Sequence, residues 1–306
     1  MAVYSIKDVE KLTGIRAHTL RAWEQRYDLV TPRRGQNNVR YYLDEDLHEL
    51  LTVALLNKHG HRISKIAAMA PAERAAQLAD LTSLNVGPET QLDALTLAIV
   101  EMDEEKFSLI IDTNIAQRGF EETMMEVVYP FLDKLGVLYF TGSVTPVQEA
   151  FAAHLIRQKI LAATDRLPAT PEEDRPVFAL FLPEGERQEL SMLFMQLLLK
   201  QRGFGVIYLG PNIGTQDLAD VCQVRRIDYL FTILSNSYVE RPVDQLVEDI
   251  LTQCPDERLL LAGYQANLHD LSDFPRARTV AGLRDFTSYL DRLLSTTADR
   301  NTAVAR

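Results

Sequence analysis

A capped helix, a glycine turn, a second helix with two unlike faces and a basic hairpin follow one another between Tyr4 and Tyr42. Few folds accept that order. Ser5 can accept an orphan backbone N–H at the start of a first helix that runs through Lys11. Thr13-Gly14 supplies the turn, glycine being free to take a left-handed backbone. The spacing predicts a second helix over about Ala17 to Tyr27. On it Leu20, Trp23 and Tyr27 form a core stripe, while His18, Arg21 and Gln25 share the opposite face. Arg33-Arg34-Gly35, followed by Gln36 to Tyr42, reads as a tight β-hairpin with cations for phosphates. Together these elements describe a winged helix-turn-helix whose second helix suits the major groove, where Arg and Gln can each contact a base edge twice. His18, Arg21 and Gln25 are the expected base readers, with Thr19 beside them. Arg16, Arg33, Arg34, Arg40 and Tyr41 are the expected phosphate contacts. An ordinary small helical domain with a charged surface is the plainer alternative, and the order of turn, face and wing weighs against it.

A formal net charge of −11 looks wrong for a nucleic-acid binder until it is partitioned. Residues 1–75 carry 12 Lys and Arg against 9 Asp and Glu, and the rest of the chain carries 20 against 34. The DNA-facing charge is therefore local to the amino-terminal part, and the acidic remainder would repel DNA. At 306 residues the chain is long enough for two or three domains, each with its own core. Its two cysteines, Cys222 and Cys254, lie far apart without metal-type spacing, which points to a reducing compartment and away from structural zinc. The start of the chain does not read as a signal peptide, and no apolar run approaches a membrane span. A soluble cytoplasmic protein with no membrane partner is expected.

Pro71 to Pro88 is polar and rich in small residues, as a linker would be. From Gln91 to about Thr164 the pattern is helical. Leu92, Leu95, Leu97 and Ile99 belong to one helix, and Phe107, Leu109, Ile110, Ile111 and Ile115 to the next. Met124–Tyr139 and Pro146–Ala163 complete a four-helix bundle. No heptad pattern is sustained, so a long dimerising coiled coil is not expected. A second linker, Thr164 to Pro176, precedes five short apolar runs at Val177–Leu182, Val206–Leu209, Tyr229–Leu234, Arg258–Ala262 and Thr279–Leu283. Helical segments follow them at Arg187–Arg202, Thr215–Val224, Val239–Leu251, Gln265–Leu271 and Arg284–Leu294. Five βα units at this spacing predict a flavodoxin-like doubly wound parallel sheet that binds ligands at the carboxyl ends of its strands. Ser295 to Arg306 reads as a disordered tail.

The amino-terminal segment is similar to the DNA-binding domain of the MerR family of transcriptional regulators. Tyr4-Ser5-Ile6, Thr13-Gly14-Ile15, Thr19-Leu20-Arg21, Trp23-Glu24 and Arg40-Tyr41-Tyr42 carry the likeness, and Asp44–Asn57 and Ile63–Met69 match that domain's next two helices. The order of reader, bundle and flavodoxin-like domain resembles the light-responsive, cobalamin-dependent repressors of that family. The carboxyl-terminal half also resembles the cobalamin-binding module of methionine synthase. This second likeness rests on Pro183–Glu189, Arg202-Gly203-Phe204, Val206–Gly210 and Leu261-Ala262-Gly263-Tyr264. The implied architecture is a DNA-binding domain over 1–75, a bundle over 89–164, a cobalamin-binding-type domain over 177–295 and a tail over 296–306. The implied activity is regulation of transcription at promoter DNA by a homo-oligomer, a dimer or higher, which reads a small-molecule or protein signal.

Several residues depart from the pattern that the resemblance implies. In that family the loop after the first strand carries a Glu-X-His motif whose histidine ligates cobalt from below. Here Glu186 is kept and Gln188 stands in the histidine's place. A Gln amide oxygen is a weaker and harder donor than an imidazole nitrogen. The light-sensing repressors also use a Trp, and about ten residues later a Glu-His pair, on the upper face of the corrin. This chain has Tyr139-Phe140 and then Glu149-Ala150. With Gly263, these residues make a degenerate ligand site. No cofactor and no metal are expected, cobalamin being the alternative. The module is then either a scaffold for oligomers and partners or a sensor of another molecule. His48, His59, His61, His154 and His269 read as surface or internally satisfied side chains. Catalysis is not expected, because corrinoid enzymes need a further catalytic domain. Gly203-Phe204-Gly205 precedes a strand rather than opening a helix, so it is no phosphate loop.

Overall fold

A computed structural model of the chain describes residues 3–27, 29–34, 40–58, 61–71, 73, 74, 77, 88–140, 142–169, 171, 175–235, 238 and 240–304. These fall into two units, Met1–Leu155 and Ile156–Arg306.

In the first unit Ser5 and Asp8 cap helix α1 (Ile6–Thr13) reciprocally. Ser5 Oγ accepts from the Asp8 N–H at 3.3 Å, and Asp8 Oδ2 accepts from the Ser5 N–H at 2.8 Å. Gly14 ends the helix in the left-handed region at φ 71°. Along α2 (Ala17–Tyr27) Leu20 is buried and Trp23 and Tyr27 are half-buried, so the expected stripe faces inward. The wing has a strand that the sequence does not announce. β1 (Val3–Ser5) and β2 (Arg33–Arg34) both pair antiparallel with β3 (Arg40–Leu43), in the order β1-β3-β2. Three residues are too few to show a period, yet Tyr4 on β1 is buried. Gly35 to Val39, the tip of the expected hairpin, lie outside the described residues.

Helices α3 (Asp44–Lys58) and α4 (Ile63–Ala68) close the reader with Val53, Leu56 and Ile66, against which Trp23, Leu29 and Ile63 pack. Buried Arg74 donates to the carbonyls of Ile66 and Met69 and pairs with Glu49 at 2.6 Å, so a guanidinium satisfies the end of α4. The bundle follows with Pro88–Val100, Glu104–Arg118, the segment Phe120–Thr123, Met124–Val128 and Tyr129–Phe140, and the first part of Pro146–Asp165. Its third helix contains a π turn at Met124–Val128, two residues before Pro130, whose missing N–H cannot continue the α ladder. Phe107 and Phe131 lie in the core with ring centroids 5.9 Å apart. Leu109 is 64 % exposed, because Phe107, Ile110, Ile111 and Asn114 define the buried face and position 109 lies opposite. Helix α3 packs against Pro88–Val100, which places reader and bundle in one unit rather than in two separate bodies.

The second unit is a five-stranded parallel sheet in the order β5-β4-β6-β7-β8. Its strands are β4 (Val177–Pro183), β5 (Gly205–Ile213), β6 (Tyr229–Ile233), β7 (Arg258–Ala262) and β8 (Ala277–Val280). This is the flavodoxin-like winding, and β4 and β6 are buried almost throughout, as strands covered on both faces must be. An aromatic layer fills one face. Phe178 stacks on Tyr229 at 4.7 Å and meets Phe204 edge-on at 5.3 Å, and Phe231 lies 4.9 Å from Phe286. The last strand comes two residues earlier than expected. The helix after β6 begins at Val243, behind Pro242, and Val239 lies outside the described residues. The last helix, Leu283–Val304, runs on through most of the expected disordered tail, where no Gly or Pro stops it.

Candidate functional site

The expected DNA face is assembled from α2, the turn before it and the wing. Arg16, His18, Arg21, Gln25, Arg33 and Arg34 are exposed, whereas Thr19, Arg40 and Tyr41 are half-buried. Glu24 holds the two elements together. Its Oε2 accepts from Arg40 Nε at 3.2 Å, and its Oε1 accepts from the Tyr42 hydroxyl. Burial, then the Glu24 carboxylate, pushes the Tyr42 hydroxyl well above the usual tyrosine range, so it stays a donor. Sequence reasoning placed Arg40 on phosphate without its partner. Trp23-Glu24 helps to carry the resemblance, but a separation of 16 positions hides the pairing of Glu24 with Arg40.

At the carboxyl ends of β4, β6 and β7 three loops are tied into one surface. Glu186, 2 % exposed, accepts from the N–H groups of Arg187 at 2.7 Å and Gln188 at 3.0 Å through Oε1, and from Ser235 at 2.7 Å through Oε2. One buried carboxylate thus shapes the loop after β4 and joins it to the loop after β6. Gly263 sits at φ 99°, and a Cβ there would come within 2.3 Å of the Leu234 carbonyl oxygen. Only glycine fits this crossing. Gln188 begins the helix Glu189–Gln201 with an exposed side chain that makes no capping bond.

Beside this loop lies a cavity of about 380 Å³ lined by Gly185, Glu186, Arg187, Glu189, Pro211 and Asn212. Glu189 pairs with Arg157 at 2.8 Å. The Tyr208 hydroxyl is buried without a hydrogen-bond partner among the described residues. Burial, then Glu189, pushes its pKa up to about 12 against the opposing pull of Arg157. Glu184 to Gln188 contain no imidazole, and both oxygens of Glu186 are already engaged by backbone. This loop does not fit cobalt ligation by histidine.

Tyr139, Glu149 and Ala150 come to one end of the bundle, all exposed, with Val147 beside them. The side chain of Phe140 lies outside those described. The Thr145–Gln148 pair organises this end. Gln148 Oε1 accepts from the Thr145 N–H at 2.9 Å, and Gln148 Nε2 donates to the Val100 carbonyl at 3.0 Å. Of the remaining histidines, His269 lies 3.3 Å from Asp244 and His154 is exposed, while His59 lies outside the described residues. Cys222 and Cys254, distant in sequence, have their sulfurs 3.3 Å apart, because the fold brings the ends of two helices together.

The family model for "MerR HTH family regulatory protein" matches residues 4–73, and that for "B12 binding domain" matches residues 91–163. The HTH-type transcriptional repressor CarH of Myxococcus xanthus is 28% identical over 242 residues, 76% of this chain and 80% of the relative. CarA of the same organism, also an HTH-type transcriptional repressor, is 26% identical over 266 residues, 86% and 88% of the two chains. This chain is a DNA-binding transcriptional regulator with a cobalamin-type sensor domain. A monomethylamine corrinoid protein from Methanosarcina barkeri shares its fold over 67% of this regulator and 98% of that chain, with a TM-score of 0.52 and 12% identity. The expectation that no cofactor is bound draws no support from these matches, which run through cobalamin-type modules. Among the described residues no helix of the regulator is long and apolar enough to cross a membrane.

Proposed function

We propose that the chain is a cytoplasmic, non-enzymatic regulator that binds promoter DNA as a homo-oligomer, and that its sensor works without imidazole ligation of cobalt. The exposed set of His18, Arg21 and Gln25 on α2, flanked by Arg33 and Arg34 of the wing, carries the DNA half of this reading. Arg21 and Gln25 read base edges, and Arg16, Arg33, Arg34 and Tyr41 meet phosphates. Arg40, held by Glu24, sets the wing against the recognition helix while adding its charge to the face. Two copies on a palindromic site follow from the usual geometry of such readers. The sensor half rests on Gln188, an exposed amide where the resemblance implies a cobalt-ligating imidazole. The module then couples DNA binding to assembly or to a different small molecule.

A second reading is that cobalamin binds in a mode without histidine. The B12-binding match over the bundle and the cavity beside Glu186, with the Tyr208 hydroxyl near Glu189 lacking a hydrogen-bond partner among the described residues, favour it. The DNA half is tested by selecting sites from random DNA and titrating the selected site with Arg21→Ala. The variant should lose base discrimination worth about 1–3 kcal/mol and keep its nonspecific, salt-dependent binding. Unchanged discrimination would remove Arg21 from the readout.

A further inference from the structure

At the opposite end of the sheet from these loops, three side chains from three elements converge. Cys222 stands near the end of the helix Thr215–Val224, Cys254 directly follows Val243–Gln253, and Glu257 immediately precedes β7. Helices in a parallel α/β unit run back against the strands, so helix ends and strand starts share that end. The two sulfurs and a Glu257 carboxylate oxygen all lie within 4.8 Å of one another. Cys254 and Glu257 are buried, and Cys222 is half-buried, leaving one open side.

We propose that Cys222, Cys254 and Glu257 form a binding site for a borderline-soft divalent cation of the zinc class. Bonds of about 2.3 Å to sulfur and 2.1 Å to oxygen in a tetrahedral site place neighbouring donors about 3.6–3.8 Å apart. The sulfurs, at 3.3 Å, need to part by only about half an ångström to meet that spacing. Two thiolates and one carboxylate make a donor set that zinc accepts, and the open side at Cys222 leaves the fourth position to water. Charge is balanced locally. Arg276 donates to the carbonyls of Cys254, Glu257 and Leu251, which fixes the backbone under both ligands and holds a guanidinium beside them. Two thiolates, the carboxylate, the divalent ion and that guanidinium together are neutral. Thiolates and not thiols are the ligands, so binding of the cation releases protons. A disulfide would use the two sulfurs alone, whereas a cation engages the Glu257 carboxylate oxygen, within 4.8 Å of both, as a third donor. That third donor is what favours a metal over a redox pair.

The test uses the full chain, reduced with a non-thiol reductant, dialysed against a chelator and titrated with Co²⁺. One equivalent should give tetrahedral ligand-field bands and a thiolate-to-metal charge-transfer band, both bleached by Zn²⁺. Zn²⁺ should also raise the thermal midpoint, by an amount that grows with the logarithm of its excess over Kd. Cys222→Ser, at a half-buried helix end, should weaken affinity by at least about tenfold, since loss of even an outer-shell partner costs roughly 10–100-fold. Glu257→Gln should weaken it as well. A folded wild-type chain without the charge-transfer band at one equivalent of Co²⁺ overturns the proposal. So does a full band in Cys222→Ser, or loss of both free thiols to a mild oxidant in a chain that takes up no cation when reduced.

Discussion

Gly263 shows how one residue can fix the loops at the carboxyl ends of the strands. At φ 99°, with the Leu234 carbonyl where a Cβ would go, Gly263→Ala meets both a disfavoured backbone and backbone atoms that cannot swing aside. The variant should lose roughly 1–3 kcal/mol of stability, read as a lower urea midpoint. Gly282 makes the control, because a Cβ there meets nothing within 4 Å. Glu186→Gln should also destabilise, by about 1–3 kcal/mol, since an amide cannot match a carboxylate that accepts three backbone N–H groups. A change within error for either variant would show that the loops do not depend on these two residues. The position of Glu186 in its loop was legible in the sequence. Its burial was not, because the Ser235 N–H that holds it comes from 49 residues away.

Between elements, the Glu24 bridge to Arg40 and Tyr42 sets the wing against α2. Glu24→Ala separates two effects. Removing a negative charge from the proposed DNA face should tighten binding, whereas freeing the wing should weaken it on every sequence. The expected result in a mobility-shift titration is weaker binding at all sites with base preference kept, and tighter binding would contradict the positioning role. The elements themselves were largely readable. The periods of α2, the bundle helices and the βα units follow from apolar spacing, and the capping residue Ser5 marks a real helix start. What stayed hidden depends on partners far away in the chain. The three residues of β1 show strand character only once paired with β3, Arg74 is a cap only where α4 ends, and Cys222 meets Cys254 only after two helices have folded back.

For the whole molecule, the proposed assembly needs a surface other than a sustained heptad seam. We expect light scattering on the full chain to give a mass above that of one copy, the same in darkness and after illumination. A monomer at micromolar concentration would contradict assembly through the bundle or the sheet domain. The central claim is that this regulator keeps the cobalamin-type fold without imidazole ligation of cobalt. Its most direct test is the absorption spectrum of the full chain after incubation with adenosylcobalamin and desalting. The account predicts no stoichiometric corrin bands in the unmodified chain, and partial uptake once Gln188→His is combined with Ala150→His and Tyr139→Trp. A stoichiometric corrin spectrum from the unmodified chain would contradict it.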